Sequence, residues 1–171
     1  LQCFGPPYSS ASSIGVMLAQ PQPLEARSGR EPGTAVWSHE LLLGGASMGR
    51  VTDFVDAEVP VFVRCLDLMR PLELELRVGE GAEALENCRR FAAHGARAAL
   101  LVTQPRGTPV FMKYPSPVPF FHQVAAAGRV SMRRTSSPGA WRITCEPGAS
   151  TVFIAGGRSY PECIEAAEAA L

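Results

Sequence analysis

A tyrosine and a histidine, both able to take part in acid–base chemistry, flank a proline-rich stretch of the chain. The segment KYPSPVPFFHQ carries Tyr114 near one end and His122 eight residues later. Proline fixes the backbone φ angle, so the prolines between the two residues restrict their relative positions. The stretch is consistent either with a rigid surface loop or with a site in which a phenol and an imidazole face a common point.

Arginine supplies nearly all of the positive charge, since Lys113 is the single lysine among sixteen basic residues. The densest basic cluster is GRVSMRR, with Arg129, Arg133 and Arg134. A guanidinium binds phosphate through a planar fork and stacks on bases, so this cluster is a candidate for RNA binding. The alternative is an ordinary solvated face.

Length, charge and cysteine usage exclude several classes of protein. The 171 residues allow one well-buried core or two small domains, and the formal net charge is zero, which indicates no overall affinity for nucleic acid or membrane. No apolar run approaches the roughly 20 residues needed to span a bilayer, and the first residues do not resemble a signal peptide. The cysteines are odd in number and lack C-x-x-C spacing, which predicts reduced thiols in a cytoplasmic protein: Cys3, Cys65, Cys88, Cys145 and Cys163.

Common catalytic and cofactor motifs are absent from the sequence. It contains no G-x-G-x-x-G, Walker A, G-x-S-x-G or H-E-x-x-H pattern. His39, His94 and His122 are far apart, and no carboxylate lies at ligand spacing from any of them. The sequence therefore predicts no metal, no cofactor and no conventional hydrolase or dehydrogenase.

Residues 1–70 are predicted to form a small N-terminal α/β unit. VWSHELLLGG has the features of a helix that begins at Ser38 and ends at Gly44. PVFVRCLDLMR predicts a second helix, with Pro60 in its first turn and Pro71 after its end.

Residues 71–171 are predicted to form an α+β domain with a mixed sheet packed on a helix. LELELRV alternates strictly, which is typical of a half-buried strand. Ser159 and Glu162 have capping-box spacing before a final helix. The remaining predicted elements are a helix over 82–95, strands over 96–102 and 108–114, a short helix in HQVAAAGR, and a hairpin that joins WRITC to STVFIA.

The order of CRRFAAHG, VFMKYPSPVPFFH, VAAAGRVSMRRT and WRITCEPGASTVFIA resembles the C-terminal nuclease domain of the tRNA-splicing (tRNA-intron) endonucleases. In that family a helix and two strands precede a loop that begins with Tyr-Pro and ends in His. Tyr114 and His122 match this loop, and the resemblance covers about residues 82–156. It implies that residues 1–70 are the family's variable N-terminal domain.

The resemblance implies metal-independent RNA cleavage that leaves a 2′,3′-cyclic phosphate. Such cleavage needs a base for the ribose 2′-proton, an acid for the leaving 5′-oxygen and a cation for the charge on phosphorus. Tyr114, His122 and Arg134 occupy the positions of the family's Tyr, His and Lys. By resemblance they are the candidate catalytic residues.

Three departures from the family pattern favour a chain that assembles over one that cuts. Arg134 replaces the lysine, TQPRGT replaces a Gly-x-Lys-Phe-Gly turn, and a dozen residues stand where the family has another strand after His122. We therefore predict a non-catalytic structural subunit, of the archaeal two-subunit type, in a cytoplasmic heteromeric tRNA-splicing endonuclease.

The partners implied by this prediction are a catalytic endonuclease subunit, in a heterotetramer, and a precursor tRNA. The family pairs its subunits through the last strand, here Val152, Phe153 and Ile154, and through an acidic loop, here at Glu146. Two alternatives stay open: a catalytic RNA-cleaving subunit of the same enzyme, and a small-molecule-binding regulatory α+β domain in which the Tyr/His stretch is only a loop.

Overall fold

The described part of the chain folds into an antiparallel β structure with two short helices. The computed structural model describes residues 2–4, 13–19, 23–79, 83–103, 121–157 and 159–171. The elements are β1 (Gln2–Phe4), β2 (Ser13–Leu18), β3 (Glu25–Arg30), β4 (Trp37–Leu43), β5 (Ala46–Val55), β6 (Val61–Leu68), β7 (Leu72–Val78), β8 (Glu83–Glu86), α1 (Cys88–Phe91), β9 (Ala96–Thr103), β10 (Phe121–Arg134), β11 (Ala140–Gly157) and α2 (Tyr160–Ala170).

The long hairpin of β10 and β11 is shared by two arms of the sheet. The large arm contains, in order, β8, β9, the first half of β10, the second half of β11, β6, β5, β4 and β3. The small arm contains the second half of β10, the first half of β11, β7, β2 and β1. One hairpin therefore positions all the other strands.

Gly128 marks the point where β10 passes from one arm to the other. A bulge interrupts the pairing of β10 with β11 between Gly128 and Val130. Gly128 has φ +90°, and a Cβ there would lie 2.6 Å from the carbonyl oxygen of Ala149. Glycine is suited to this position because it adopts positive φ and tolerates the close backbone approach.

The main core lies between the two arms. The alternation in LELELRV directs the buried Leu72, Leu74 and Leu76 of β7 into it, together with Leu66 of β6 and Ile154 of β11. A second cluster covers the outer face of the large arm, where Ile164 and other residues of α2 pack on β6, β10 and β11. Because both faces of the central strands are buried, their sequences are nearly continuous apolar runs.

The predicted fold class is wrong. The sheet is antiparallel throughout, and no mixed sheet packed on a helix exists within the described parts of the chain. Strands also join the two predicted units, because β2 pairs with β7 and β6 pairs with β11. Residues 1–70 and 71–171 thus contribute to one sheet.

Several predicted helices are strands. VWSHELLLGG forms β4, PVFVRCLDLMR forms β6 and HQVAAAGR belongs to β10. In the helix predicted over 82–95, Glu83–Glu86 form β8, whereas Cys88–Phe91 form α1 and Ala92–His94 form a 3-10 turn. The predicted hairpin in WRITCEPGASTVFIA is one continuous strand, β11. In contrast, the strands at 72–78 and 96–102 and the Ser159-capped helix are confirmed. The strand predicted over 108–114 lies outside the described residues.

Candidate functional site

Four polar side chains form a row across the last four strands of the large arm. Ser28 of β3 lies directly opposite His39 of β4, and Asp53 of β5 lies directly opposite Arg64 of β6. The residue opposite His39 is Val51, two positions before Asp53, so His39 and Asp53 are diagonal neighbours on one face. We call Ser28, His39, Asp53 and Arg64 the polar row.

Arg64 holds Asp53 through two parallel hydrogen bonds. Its Nε–H donates to Oδ1 at 2.8 Å and its Nη2–H donates to Oδ2 at 2.6 Å. The Arg64 guanidinium also lies 5.8 Å from the ring centroid of Phe62. Only 17% of the Arg64 side chain and 13% of the Asp53 side chain are exposed. A bidentate pair of this kind fixes the orientation of both groups.

His39 lies between Ser28 and Asp53. Its Nδ1 is 2.7 Å from the Ser28 Oγ, a hydrogen-bond distance, and its Nε2 is 3.6 Å from the Asp53 Oδ2. The neutral tautomer with its proton on Nε2 agrees with both contacts, since Nδ1 then accepts from the Ser28 hydroxyl. The polar row in this state contains one negative and one positive group and carries no net charge.

An apolar crevice of about 210 Å³ adjoins the polar row between the two arms of the sheet. His39, Asp53 and Arg64 are the polar part of its lining. The apolar part comes from both arms: Leu18, Ala26, Leu41, Val51, Leu66, Leu72 and Leu74. Trp37, which is 47% exposed, lies opposite Asp53 in the pairing register and so extends the same face. The site therefore combines a hydrogen-bonding end with an apolar body.

The geometry of the polar row favours binding over nucleophilic catalysis, although it contains serine, histidine and aspartate. Asp53 makes its hydrogen bonds to Arg64, and its distance to His39 is too long to orient the imidazole as in a catalytic triad. Ser28 is exposed on β3. Stabilisation of an oxyanion depends on a site from which water is excluded.

The structure places His122 in the interior and leaves its relation to Tyr114 untested. His122 is the second residue of β10, is paired with Val102 and Gly156, and is 4% exposed. Burial lowers the pKa of His122 to about 4, so the imidazole is neutral at pH 7. Tyr114 lies outside the described residues, and the phenol–imidazole pair stays a prediction.

The three arginines of the predicted RNA-binding cluster do not share one surface. Arg133 and Arg134 are consecutive in β10, so their side chains lie on opposite faces of the sheet. The Arg134 guanidinium is 5.8 Å from the Trp141 ring centroid, and Arg129 donates to the Pro147 carbonyl at 3.1 Å. His122 is the second residue of β10 and Arg134 is the last, so the two residues lie near opposite ends of the strand.

The predicted partner contacts lie in β11. Val152, Phe153 and Ile154 are buried in a segment that is paired with β10 on one side and β6 on the other, so both of its edges are occupied. Glu146 is exposed. Burial, with a further contribution from the Glu146 charge, raises the pKa of the neighbouring Cys145 thiol to about 11.

The outer face of β3 to β6 carries a ladder of alternating charge. Arg27, Glu40, Arg50 and Asp67 are exposed and directly opposite one another on successive strands, beside an open depression of about 530 Å³. Opposite charges in register stabilise a sheet, so this ladder has a sufficient structural explanation.

The described residues provide neither a metal site nor a membrane-spanning helix. No group of three or more His, Cys, Asp or Glu residues in those ranges could hold a metal ion. Nor does the described part of the chain contain a helix of the length and apolarity required to cross a membrane.

Sequence reasoning missed the polar row because its members are separated along the chain. The sequence places His39 in a predicted helix, where it has no carboxylate at ligand spacing. Alternation of Trp37, His39 and Leu41 with polar neighbours would have indicated a strand face. No pattern in the sequence gives the register that brings Asp53 and Arg64 beside it.

Neither the protein-family models nor the curated proteins contain a match to this chain.

Proposed function

We propose that this chain is a binding module, and that the crevice with its polar row takes a single aromatic ring that carries a hydroxyl group. The observation that carries the proposal is the fixed Asp53–Arg64 pair, which with His39 forms the polar part of a mainly apolar crevice. The module binds without covalent chemistry. A small-molecule-binding regulatory domain is one of the two alternatives left open by the sequence. The proposed function is of that class, but the fold is an antiparallel β structure and not the α+β domain expected with it.

The size of the crevice supports a ligand of one ring. An engineered apolar cavity of about 150 Å³ holds benzene, and pockets for drug-sized ligands have volumes of about 300 Å³ or more. The crevice, at about 210 Å³, lies between these sizes. Its leucine and valine lining gives a ring apolar contacts from both arms.

The charge balance of the polar row supports a neutral hydroxyl as the polar group of the ligand. Asp53 and Arg64 neutralise each other, so a charged group would gain no net attraction. A hydroxyl both donates and accepts a hydrogen bond. Asp53 can accept from it, and Arg64 can donate to it. Two of the five Arg64 N–H groups bond to Asp53, and each Asp53 oxygen has a second lone pair.

The direct test is a titration of the protein with p-cresol, the side-chain analogue of tyrosine. Binding is measured from the chemical shifts of the backbone amides in NMR spectra. We expect saturable shifts centred on β4, β5 and β6, and at least tenfold weaker binding of toluene, which lacks the hydroxyl. Asp53→Asn should weaken p-cresol binding by a similar factor. Asp67→Asn, the same change on the outer face, is the control. Equal affinity for p-cresol and toluene, or no binding of either, would refute the proposal.

The role as a structural subunit of a tRNA-splicing endonuclease is a separate proposal, and the fold predicted with it is wrong. A mixture of this chain, a catalytic endonuclease subunit and an intron-bearing precursor tRNA tests it. Cutting only by the mixture, unaffected by His122→Ala, would support the structural role. Cutting by this chain alone, abolished by His122→Ala, would support the catalytic alternative. No complex with either partner would exclude both.

We also propose a cytoplasmic location. Four of the five cysteines are free thiols: Cys65, Cys88, Cys145 and Cys163. Free thiols are typical of reducing compartments.

A further inference from the structure

Strand β3 is an edge of the large arm and lies next to the crevice. All six of its residues are exposed, and among the described residues only β4 pairs with it. Within the described ranges no strand lies on the outer side of β3, where the N–H and C=O groups of an edge strand can pair. These groups are a template for one more strand.

The edge and the crevice are continuous through Ala26. This residue belongs to β3 and also lines the crevice, and its methyl group is the smallest side chain in that lining. Leu18, at the end of β2 in the small arm, forms the opposite wall and is 51% exposed. A residue placed opposite Ala26 on an added strand would face the crevice, because opposed residues share a face.

We propose that the occupant of the crevice is a tyrosine side chain carried by an extended segment of a partner protein, which pairs with the outer edge of β3. The inference rests on the proposed function and names the source of the aromatic ring. An added strand supplies backbone hydrogen bonds, while the ring in the crevice selects the sequence. Antiparallel addition continues the pairing found throughout the sheet.

The charges of β3 define the residues that flank the tyrosine. Glu25 and Arg27 precede and follow Ala26, so both lie on the outer face of the sheet. In an antiparallel partner, the residue before the tyrosine lies opposite Arg27 and the residue after it lies opposite Glu25. An acidic residue followed by tyrosine and a basic residue gives two opposite-charge pairs, each of which stabilises neighbouring strands.

The test uses the capped peptide Thr-Thr-Thr-Glu-Tyr-Lys-Thr and the full chain, with fluorescence anisotropy of a labelled peptide as the readout. We expect saturable binding, at least tenfold weaker for the peptide with alanine in place of tyrosine. Two further peptides carry N-methyl groups on alternate residues, one on the odd positions and the other on the even positions. Only one of them should lose binding, because only one set of backbone N–H groups points toward β3.

Leu18 and Met17 provide matched protein variants. Both are partly exposed residues of β2, but successive strand residues face opposite sides and only Leu18 lines the crevice. Leu18→Ala should weaken peptide binding several-fold, and Met17→Ala should leave it unchanged. Equal effects of the two substitutions would contradict the proposed position of the tyrosine.

The outcomes separate this inference from the proposed function. Binding of p-cresol without binding of the peptide would overturn the partner strand and leave the aromatic site standing. If neither p-cresol nor the peptide bound, the proposed aromatic site itself would be refuted. A concentration-dependent dimer that the peptide does not dissociate, with no peptide bound, would overturn the inference in favour of a second copy at β3.

Discussion

His122 carries an imidazole into the interior, where the charged form is disfavoured. Its pKa falls from an ordinary value of 6.5 to about 4 on folding, because burial removes water from the ring. In the unfolded chain the same imidazole takes up a proton near its ordinary pKa. Between these two pKa values the unfolded state binds the proton more readily than the folded state does. The free energy of unfolding therefore decreases as the pH falls.

This difference makes stability depend on pH in a defined window. The contribution of His122 is fully present above pH 6.5, decreases as the pH falls, and is lost by about pH 4, where both states are protonated. This difference in the pKa of His122 between the unfolded and folded states corresponds to about 3 kcal/mol of unfolding free energy. We expect His122→Gln to remove this part of the pH dependence when unfolding free energies are measured by denaturant titration between pH 7 and 4.

His94→Gln is the control for the histidine substitution. His94 is exposed at the end of the short 3-10 turn that follows α1, so its substitution removes an imidazole from the surface and leaves the interior intact. If wild type and His122→Gln lost stability in parallel over this range, the imidazole would not be the group that titrates.

At the scale of single elements, the bend in the β10–β11 hairpin depends on one glycine. Gly128→Ala would place a Cβ 2.6 Å from a backbone oxygen at a positive φ. Because neither strand can move without disturbing both arms, we expect a loss of about 2–4 kcal/mol in unfolding free energy.

A glycine in an open strand provides the matched control. A Cβ added at Gly29 of β3 would have no heavy atom within 4 Å, and the φ of this residue is not positive. Gly29→Ala should change the unfolding free energy by less than about 0.5 kcal/mol. Equal effects of the two substitutions in denaturant titrations would show that the bend does not depend on Gly128.

The strand character of β7 could be predicted from its sequence, whereas that of β6, which has apolar residues on both faces, could not. LELELRV alternates because one side of β7 meets the core and the other carries charge. In β6, Phe62 and Leu66 are four residues apart, a spacing that suits a helix turn and also one face of a strand. Burial on both faces removes the alternation that would distinguish them, and pairing with β5 and β11 decides the outcome.

The candidate site depends on the register of four strands, which is a property of the whole molecule. Ser28, His39, Asp53 and Arg64 each have an unremarkable sequence context. Their grouping follows from three successive pairings, β3 with β4, β4 with β5 and β5 with β6. A shift of one residue in any pairing would move a member to the opposite face. Sequence patterns give alternation within strands, but not the register between them.

The shared hairpin also implies that the chain unfolds as one unit. Strands of the second half lie between strands of the first half, since β7 and β11 separate β2 from β6 in the sheet. Loss of either half would expose the core of the other, so separate transitions for residues 1–70 and 71–171 are not expected.

The two tryptophans test this expectation, because one lies in each half. Trp37 belongs to β4 in the large arm, and Trp141 belongs to the part of β11 that pairs with β7 in the small arm. In Trp37→Phe and in Trp141→Phe, the remaining indole reports on one half. We expect its fluorescence transition in urea to coincide with the far-UV circular dichroism transition of the same variant. Each variant serves as its own reference, which removes the effect of the substitution on stability. Fluorescence midpoints that precede the circular dichroism midpoint in one variant and follow it in the other would instead show two independently folding halves, and the hairpin would then be a linker between them.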